Sequence, residues 1–219
     1  MRILVLLSAL IGLHAAEPIV APAATQTPVI LITAFKPFAG RGVNGSETVA
    51  RSFDGKIIAG CRVHVLVMSV LWGEPAKQIP KLVAELKPKL ALGLGEGYPE
   101  RITVEHVGRN EAKPIPDEAG KKPSVAKLQI DGPATRPMRL QFDQAWFADA
   151  KPPVMASQDA GGYLCNEALY TILGTTAEHA GFVHLPPQEQ TASERYIAEL
   201  RPLVLRLIEK NLAVKPALK

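Results

Sequence analysis

Five short apolar runs constrain the fold of this chain more than any other feature. Each is rich in valine, leucine and isoleucine, and most lack the alternation of polar and apolar residues that marks a strand with one solvated face. Such runs are typical of strands buried on both sides, which occur in parallel sheets covered by helices. The runs lie at residues 29–33, 62–70, 90–94, 154–157 and 181–185.

Helical patterns separate these strand candidates. Apolar residues recur at helical spacing over 75–86, over 167–173 before Gly174, and over 191–212, where Thr191 and Glu194 have the spacing of a capping box. Pro80 and Pro202 interrupt two of these helices, so we expect a kink or a late start there. The alternation predicts an α/β protein, a three-layer α/β/α sandwich with a mainly parallel central sheet. Reactive residues are expected at the carboxyl ends of its strands.

The first 28 residues have a different character. Arg2 precedes an apolar run at 3–13 and the small residues Ala15 and Ala16, which is the layout of a secretory signal peptide. Eleven apolar residues are too few to span a bilayer, which takes about 20, so we expect no stable membrane anchor. The sequence therefore predicts a signal peptide at 1–16, a proline- and alanine-rich linker at 17–28, a folded domain at 29–214, and export to the periplasm or the medium.

Composition excludes several classes of function. The 219 residues suit one globular domain, and the 25 basic and 21 acidic residues are scattered rather than clustered, which argues against nucleic-acid binding. Two cysteines, Cys61 and Cys165, can build neither a disulfide scaffold nor a thiolate-rich zinc site. The segment 109–139 is rich in Pro, Gly and Lys and shows no period, so it is expected to be a long surface loop.

Known catalytic motifs are absent, with one partial exception. Gly93, Gly95 and Gly97 follow a predicted strand, but their spacing is not that of a dinucleotide-binding turn, and Tyr98 and Pro99 stand where a helix should begin. The sequence contains no nucleophile elbow, no zinc-protease motif and no P-loop.

Cys165 is the strongest candidate for chemistry. It follows a predicted strand and a turn of small residues and precedes or opens a helix, where unpaired N–H groups favour a thiolate. His184 ends another predicted strand, and strand ends at one edge of a sheet can bring a thiol and an imidazole together. A buried structural cysteine and a packed core histidine are the alternatives, and the pattern alone leaves them open.

Five segments, in order, extend this interpretation. They are LITAFKPFAG (31–40), ITVEHVGRN (102–110), PIPDEAGKKP (114–123), SQDAGGYLCNEALY (157–170) and AGFVHLPP (180–187). Together they resemble pyroglutamyl peptidase I, the pyrrolidone-carboxylate cysteine peptidase family. The resemblance implies a nucleophile at Cys165, a base at His184 and an orienting carboxylate at Glu105.

Further expectations follow from this resemblance. It assigns Phe35 and Phe38 to the pocket for the pyroglutamyl ring. It implies substrates that are peptides with an N-terminal pyroglutamate, an acyl-enzyme intermediate, neither metal nor organic cofactor, and a possible homo-oligomer. From the residues themselves, Glu96, Glu100 and Glu111 compete for the orienting role. Glu105 is preferred because it lies in a strand-like run, whereas the other three are expected in polar loops.

The chain departs from the family pattern at several positions. Ala34 replaces a glycine, Ala39-Gly40 replaces Gly-Gly, Gly45 replaces the proline of Asn-Pro-Ser, and Glu118 replaces the asparagine of Pro-Asp-Asn.

The most consequential departure is Pro114, which stands where the family usually has an arginine that could polarise the substrate carbonyl, with Lys113 adjacent. Two alternatives therefore remain: a binding module that captures cyclised peptide ends, and an amidase for a related lactam. We also expect Cys61 and Cys165 to lie apart and to be reduced.

Overall fold

The computed structural model describes residues 27–189 and 193–213. The proposed signal peptide, most of the linker, Thr191 of the expected capping box and the domain's last residue, 214, lie outside this part of the chain. We find no helix among the described residues that is both long and apolar enough to cross a membrane.

The described residues form strands and helices in alternation. The strands are β1 (Val29–Phe35), β2 (Ile57–Ile58), β3 (Cys61–Met68), β4 (Leu90–Glu96), β5 (Ile102–Glu105), β6 (Val107–Arg109), β7 (Thr135–Pro137), β8 (Val154–Ser157) and β9 (His179–Leu185). The helices are α1 (Gly45–Arg51), α2 (Glu74–Leu86), α3 (Leu164–Leu173) and α4 (Ser193–Ala213), with one 3-10 turn at Gln144–Phe147.

The central sheet has seven strands in the order β2-β3-β1-β4-β9-β5-β8. Strands β3, β1, β4 and β9 are parallel to one another, whereas β5 runs antiparallel to β9 and β2 runs antiparallel to β3. The expected α/β sandwich with a mainly parallel sheet is confirmed. The reversal at β5 matters for the site, because it places residues of β5 beside the end of β9.

Helices cover both faces of this sheet. Ile30 and Ile32 of β1 pack with residues of α1 and α4, whereas Leu31 packs with residues of α2 and α3. Because neighbouring residues of a strand point to opposite faces, a strand with helices on both sides needs an apolar residue at every position. This requirement explains why the run at 29–33 shows no alternation.

Three local expectations need correction. Helix α3 begins at Leu164, three residues before the expected start, so Cys165 lies inside its first turn. Pro80 and Pro202 both lie within continuous helices rather than at their starts. Part of the expected surface loop is ordered in a strand, since β7 pairs antiparallel with β6.

A buried glutamate joins α2 to α3. Gly73, which precedes α2, has no side chain with which to cap that helix, and its φ of +86° is one that glycine adopts readily. Glu167 of α3 supplies the missing acceptor: its two carboxylate oxygens lie 3.0 and 3.2 Å from the Gly73 nitrogen. Burial, only partly offset by the backbone N–H groups of Gly73 and Ala76, raises the pKa of Glu167 to about 7.

Candidate active site

Cys165 is the second residue of α3 and is partly exposed. Tyr163, which precedes the helix, has an extended backbone and makes no side-chain cap. Among the described residues, the N–H groups of Leu164, Cys165 and Asn166 have no hydrogen-bond acceptor. The sulfur is therefore attached to a helix turn whose free N–H groups favour negative charge.

His184 and Glu105 form a hydrogen-bonded pair beside this helix. The distance from His184 Nδ1 to Glu105 Oε1 is 2.9 Å, and the residues are 8% and 1% exposed. The antiparallel register sets Thr103 opposite His184 and Glu105 opposite Phe182, so all four side chains share one face of the sheet. Thr103 Oγ1 also donates to Glu105 Oε1, at 2.5 Å.

The environment of this pair favours a charged imidazole. Burial alone would lower the pKa of His184, but Coulombic attraction and hydrogen bonding to Cys165, together with the hydrogen bond to Glu105, raise that pKa to about 10. Burial opposes ionisation of Glu105 as well, and the hydrogen bond and charge of His184 nevertheless lower the pKa of Glu105 below its usual range. At neutral pH the buried imidazole of His184 is therefore protonated and is paired with the Glu105 carboxylate.

Three glycines make room for this arrangement, two of them in β4 and the third directly after it. A Cβ atom on Gly93 would lie 2.2 Å from the Phe182 ring, one on Gly95 would lie 2.8 Å from Cys165 Sγ, and one on Gly97 would lie 2.7 Å from His184 Cβ. None of these separations is compatible with a real side chain. These glycines are thus explained by packing. Their spacing of two residues indicates this, because alternate residues of a strand lie on the same face.

Two of the three competing glutamates have other partners. Glu96 hydrogen-bonds with Arg41, and the exposed Glu100 hydrogen-bonds with Arg101. Glu96 ends β4 with only 3% of its side chain exposed, so the expectation that it sits in a polar loop is wrong.

The two candidate pocket phenylalanines differ in exposure. Phe35 is 4% exposed and belongs to the core between the sheet and α2 and α3, whereas Phe38 is half-buried against that core. Of the two, Phe38 offers more surface to a ligand. A role for Phe35 in binding stays a prediction.

Sequence reasoning did not single out an aromatic pair that lies just before Cys165 and α3. Trp72 and Tyr163 meet edge to face, with ring centroids 5.4 Å apart. Their polar atoms donate to the loop that follows β6, Trp72 Nε1 to the Ile115 carbonyl at 2.8 Å and the Tyr163 hydroxyl to the Pro116 carbonyl at 3.1 Å. The pair therefore fixes this loop against the start of α3. The one sequence feature that could have indicated this role is the position of Tyr163, two residues before Cys165.

The same loop contains Lys113 and Pro114. The backbone N–H of Lys113 donates to the Gly162 carbonyl at 2.8 Å. A Cβ on Gly162 would lie 2.4 Å from Lys113 Cγ. The exposed lysine side chain thus lies along the backbone that leads into α3. Lys113 directly precedes Pro114, the position at which the sequence departs from the expected arginine.

Asn166 is a second residue that sequence reasoning missed. It is fully buried, accepts from the Arg109 nitrogen at 2.9 Å, and donates to the carbonyl oxygens of Arg109 and Glu111, both at 2.9 Å. These bonds hold β6 and the residues after it against α3. The side chain of Asn166, which follows Cys165, therefore anchors the helix to β6 and the residues after it.

Cys61 has no part in this site. It is buried at the start of β3, in the core on the α1 and α4 side of the sheet. Both cysteines are free, which confirms that they do not form a disulfide. Within residues 27–189 and 193–213, no group of three or more His, Cys, Asp or Glu side chains could hold a metal ion.

Comparison with known proteins gives a consistent result. A family model described as pyroglutamyl peptidase matches residues 29–204, which is more than half of the chain. A pyrrolidone-carboxylate peptidase of Chromobacterium violaceum is 34% identical over 162 residues, covering 72% of this chain and 77% of that protein. One from Yersinia pestis is 28% identical over 199 residues, covering 87% of this chain and 93% of that protein.

Solved structures show the same similarity. A pyrrolidone carboxyl peptidase of Pyrococcus furiosus superposes with a TM-score of 0.75 at 25% identity, covering 84% of this chain and 98% of that one. Pyroglutamyl peptidase I of Bacillus amyloliquefaciens gives a TM-score of 0.76 at 19% identity, with coverage of 85% and 98%, and supports the fold alone.

Proposed function

The chain belongs to the pyroglutamyl peptidase family, and on that premise we propose that it hydrolyses the amide bond after an N-terminal pyroglutamyl residue by cysteine catalysis. The observation that carries the proposal is the buried hydrogen bond between His184 and Glu105, on the face of the sheet against which Cys165 packs. A packed core histidine would not require a buried carboxylate as its partner.

The first half of the reaction uses Cys165 and His184. The Cys165 thiolate attacks the carbonyl carbon of the pyroglutamyl amide, and a carbon–sulfur bond forms. The carbon–nitrogen bond then breaks, and the His184 imidazolium gives its proton to the departing amine. The product is a thioester between the pyroglutamyl group and Cys165.

The second half regenerates the enzyme. Neutral His184 takes a proton from water, which attacks the thioester, and the carbon–sulfur bond breaks to release pyroglutamic acid and the thiolate. Glu105 holds the imidazole through Nδ1, so Nε2 remains for these proton transfers, and its charge stabilises the imidazolium. The hydroxyl of Thr103 keeps the carboxylate in place.

The negative oxygen of the tetrahedral intermediate needs hydrogen-bond donors. The first turn of α3 offers N–H groups at Leu164, Cys165 and Asn166 that have no acceptor in the described structure. Backbone donors of this kind, fixed before the reaction, are among the strongest contributors to acyl transfer. They offer a route to catalysis without the arginine that Pro114 replaces, and Lys113 adds a nearby positive charge.

The pyroglutamyl ring is a flat, neutral lactam, so its pocket needs apolar walls rather than a carboxylate. Phe38 and the Trp72–Tyr163 pair supply aromatic surface on the face of the sheet against which Cys165 packs. Each aromatic contact with the ring is worth about 0.5–1.5 kcal/mol beyond area burial.

Hydrolysis of a pyroglutamyl fluorogenic amide in reducing buffer tests the proposal. We expect turnover by the wild type, none by Cys165→Ser, and nearly full activity of the matched control Cys61→Ser, because Cys61 lies on the opposite face of the sheet. Activity that survives Cys165→Ser would refute the mechanism. Tight binding of a pyroglutamyl peptide that the wild type leaves intact would instead support a capture module.

We also propose that the protein is exported, on the strength of Arg2, the apolar run at 3–13 and the small residues Ala15 and Ala16. Expression of the full chain in a Gram-negative host, followed by N-terminal sequencing of the periplasmic fraction, tests this. A mature protein that starts near Glu17 is expected, and an unprocessed protein confined to the cytoplasm would contradict export.

A further inference from the structure

A buried carboxylate that has no role in the proposed reaction lies next to the glycines that make room for Cys165 and His184. Glu96 stands between Gly95 and Gly97, and its side chain is 3% exposed. Because side chains alternate along a strand, it points to the α1 and α4 side of the sheet, away from Cys165 and His184. A carboxylate buried in this way must be paired and hydrogen-bonded.

Glu96 has donors from three separate segments. Its Oε1 accepts from the Gly45 nitrogen at 2.6 Å, from the Gln188 nitrogen at 3.0 Å and from Arg41 Nη2 at 3.1 Å. Its Oε2 contacts Arg41 Nη1. Arg41 closes the network by donating to the Gln188 carbonyl at 2.9 Å. The hydrogen bond to Glu96 raises the pKa of Arg41, although burial opposes this rise.

Each of these segments leads to a part of the active site. Arg41 belongs to the turn that contains Phe38, and its guanidinium carbon lies 5.9 Å from the centroid of the Phe38 ring. Gln188 lies in the loop that follows β9, four residues after His184. One carboxylate therefore joins the candidate wall of the pocket to the loop that continues from the catalytic base.

Gly45 makes this network possible. The family's usual proline at this position has no N–H group to donate to Glu96. A Cβ on Gly45 would also lie 2.1 Å from the Tyr196 hydroxyl, which donates to the Pro186 carbonyl in the same loop as Gln188. Burial and the charge of Glu96 raise the pKa of Tyr196, so its hydroxyl stays protonated and remains a donor. Glycine in place of proline at position 45 thus fits the positions of two other side chains, Glu96 and Tyr196.

We propose that Glu96 and Arg41 form a positioning pair that sets the Phe38 side of the substrate pocket at a fixed distance from His184. The proposal rests on the proposed function, since it assigns Phe38 to the pocket. Neither residue of the pair touches the reacting atoms. Loss of the pair is therefore expected to weaken substrate binding more than it slows the chemical step.

The first test measures kcat and KM with a pyroglutamyl fluorogenic amide. Glu96→Gln keeps the size of the side chain but removes its charge, and it is expected to raise KM about tenfold with kcat within about twofold of wild type. Arg41→Gln is expected to do the same, and the double variant to be no worse than either single one, because the two side chains act as one unit. Asp149→Asn is the matched control, since it breaks the exposed ion pair between Arg206 and Asp149 far from these contacts.

A binding measurement separates this proposal from the proposed function. Calorimetry with a pyroglutamyl dipeptide uses the Cys165→Ser protein with and without Glu96→Gln. The added substitution is expected to weaken binding about tenfold. Equal affinity with and without it, or a KM equal to that of Asp149→Asn, would overturn the positioning role. Failure of the Cys165→Ser protein to bind at all would instead refute the proposed function.

Arg41→Gln keeps the test valid if Glu96→Gln does not fold, because Arg41 has 27% of its side chain exposed. Thermal unfolding followed by circular dichroism identifies such a failure. A fall in kcat with an unchanged KM in Arg41→Gln would also contradict a role in positioning the pocket.

Discussion

Replacing Glu167 by glutamine should make the protein's stability less sensitive to pH. Glu167 is 3% exposed and accepts a hydrogen bond from Gly73 at the start of α2, and no salt bridge of Glu167 is found among the described residues. Burial raises its pKa from 4.5 to about 7. An acid with a raised pKa in the folded state binds its proton more tightly there than in the unfolded chain. The free energy of unfolding therefore falls as pH rises from about 4.5 through about 7.

The magnitude follows from the shift in pKa. Each unit corresponds to 1.36 kcal/mol, so the ionised form of Glu167 lowers the stability of the wild type by about 3 kcal/mol above pH 7. This is a large part of the total stability of an ordinary domain, which is about 5–15 kcal/mol. Glutamine does not titrate, and any hydrogen bond that it loses at Gly73 is lost equally at every pH.

Urea denaturation at pH 5 and pH 8 measures this effect. The difference in unfolding free energy, Glu167→Gln minus wild type, should be about 2–3 kcal/mol more positive at pH 8 than at pH 5. Glu85→Gln is the matched control, because it removes the same charge from an exposed position on α2. A difference that is the same at both pH values would refute the reasoning.

Further predictions concern the site itself. Gly95→Ala should lower kcat/KM by at least about 100-fold, because the new methyl group would displace Cys165 Sγ, and steady-state kinetics beside a thermal unfolding curve would separate this effect from a loss of folding. In the wild type, kcat/KM should fall as pH rises through about 10, where His184 loses the proton that it gives to the leaving amine, and a profile that stays flat to pH 11 would contradict this role. Glu105→Gln should lower kcat about 100-fold and move that alkaline limb to lower pH, whereas a limb at an unchanged pH would show that Glu105 does not act on His184. Ala39→Gly should stabilise the protein by about 1 kcal/mol in urea denaturation, because Ala39 has a left-handed φ of +54°, and an unchanged midpoint would contradict it.

Much of the central sheet could be predicted because its strands lie between two helical layers. Burial on both faces requires uninterrupted apolar runs, and these are visible in a single sequence at 29–33 and 90–94. The reversed direction of β5 could not be predicted, because a strand's direction is set by its neighbours in space and leaves no trace in its own residues. The start of α3 was placed late for a local reason, since Tyr163 is not a residue that caps helices with its side chain.

The candidate site was predictable where a residue's chemistry is distinctive. Cys165, His184 and Glu105 are reactive types in segments that resemble a known family, and the structure brings His184 and Glu105 into contact. Glu96 and Glu167 were not predictable in the same way. A buried carboxylate becomes meaningful only through its partners, and those partners lie 40 residues or more away in the sequence.

The glycines of β4 limit how the active site can be remodelled. Cys165 Sγ and the His184 side chain occupy the space in which side chains at positions 95 and 97 would lie. A residue larger than glycine at either position would therefore displace one of them. To fit a larger or smaller substrate ring, substitutions must therefore be made in the loops around the site. The turn that contains Phe38 and the loop held by the Trp72–Tyr163 pair lie outside β4, so substitutions there leave its glycines in place. New substrate preference in this protein should accordingly be sought in its loops, with the strand left as it is.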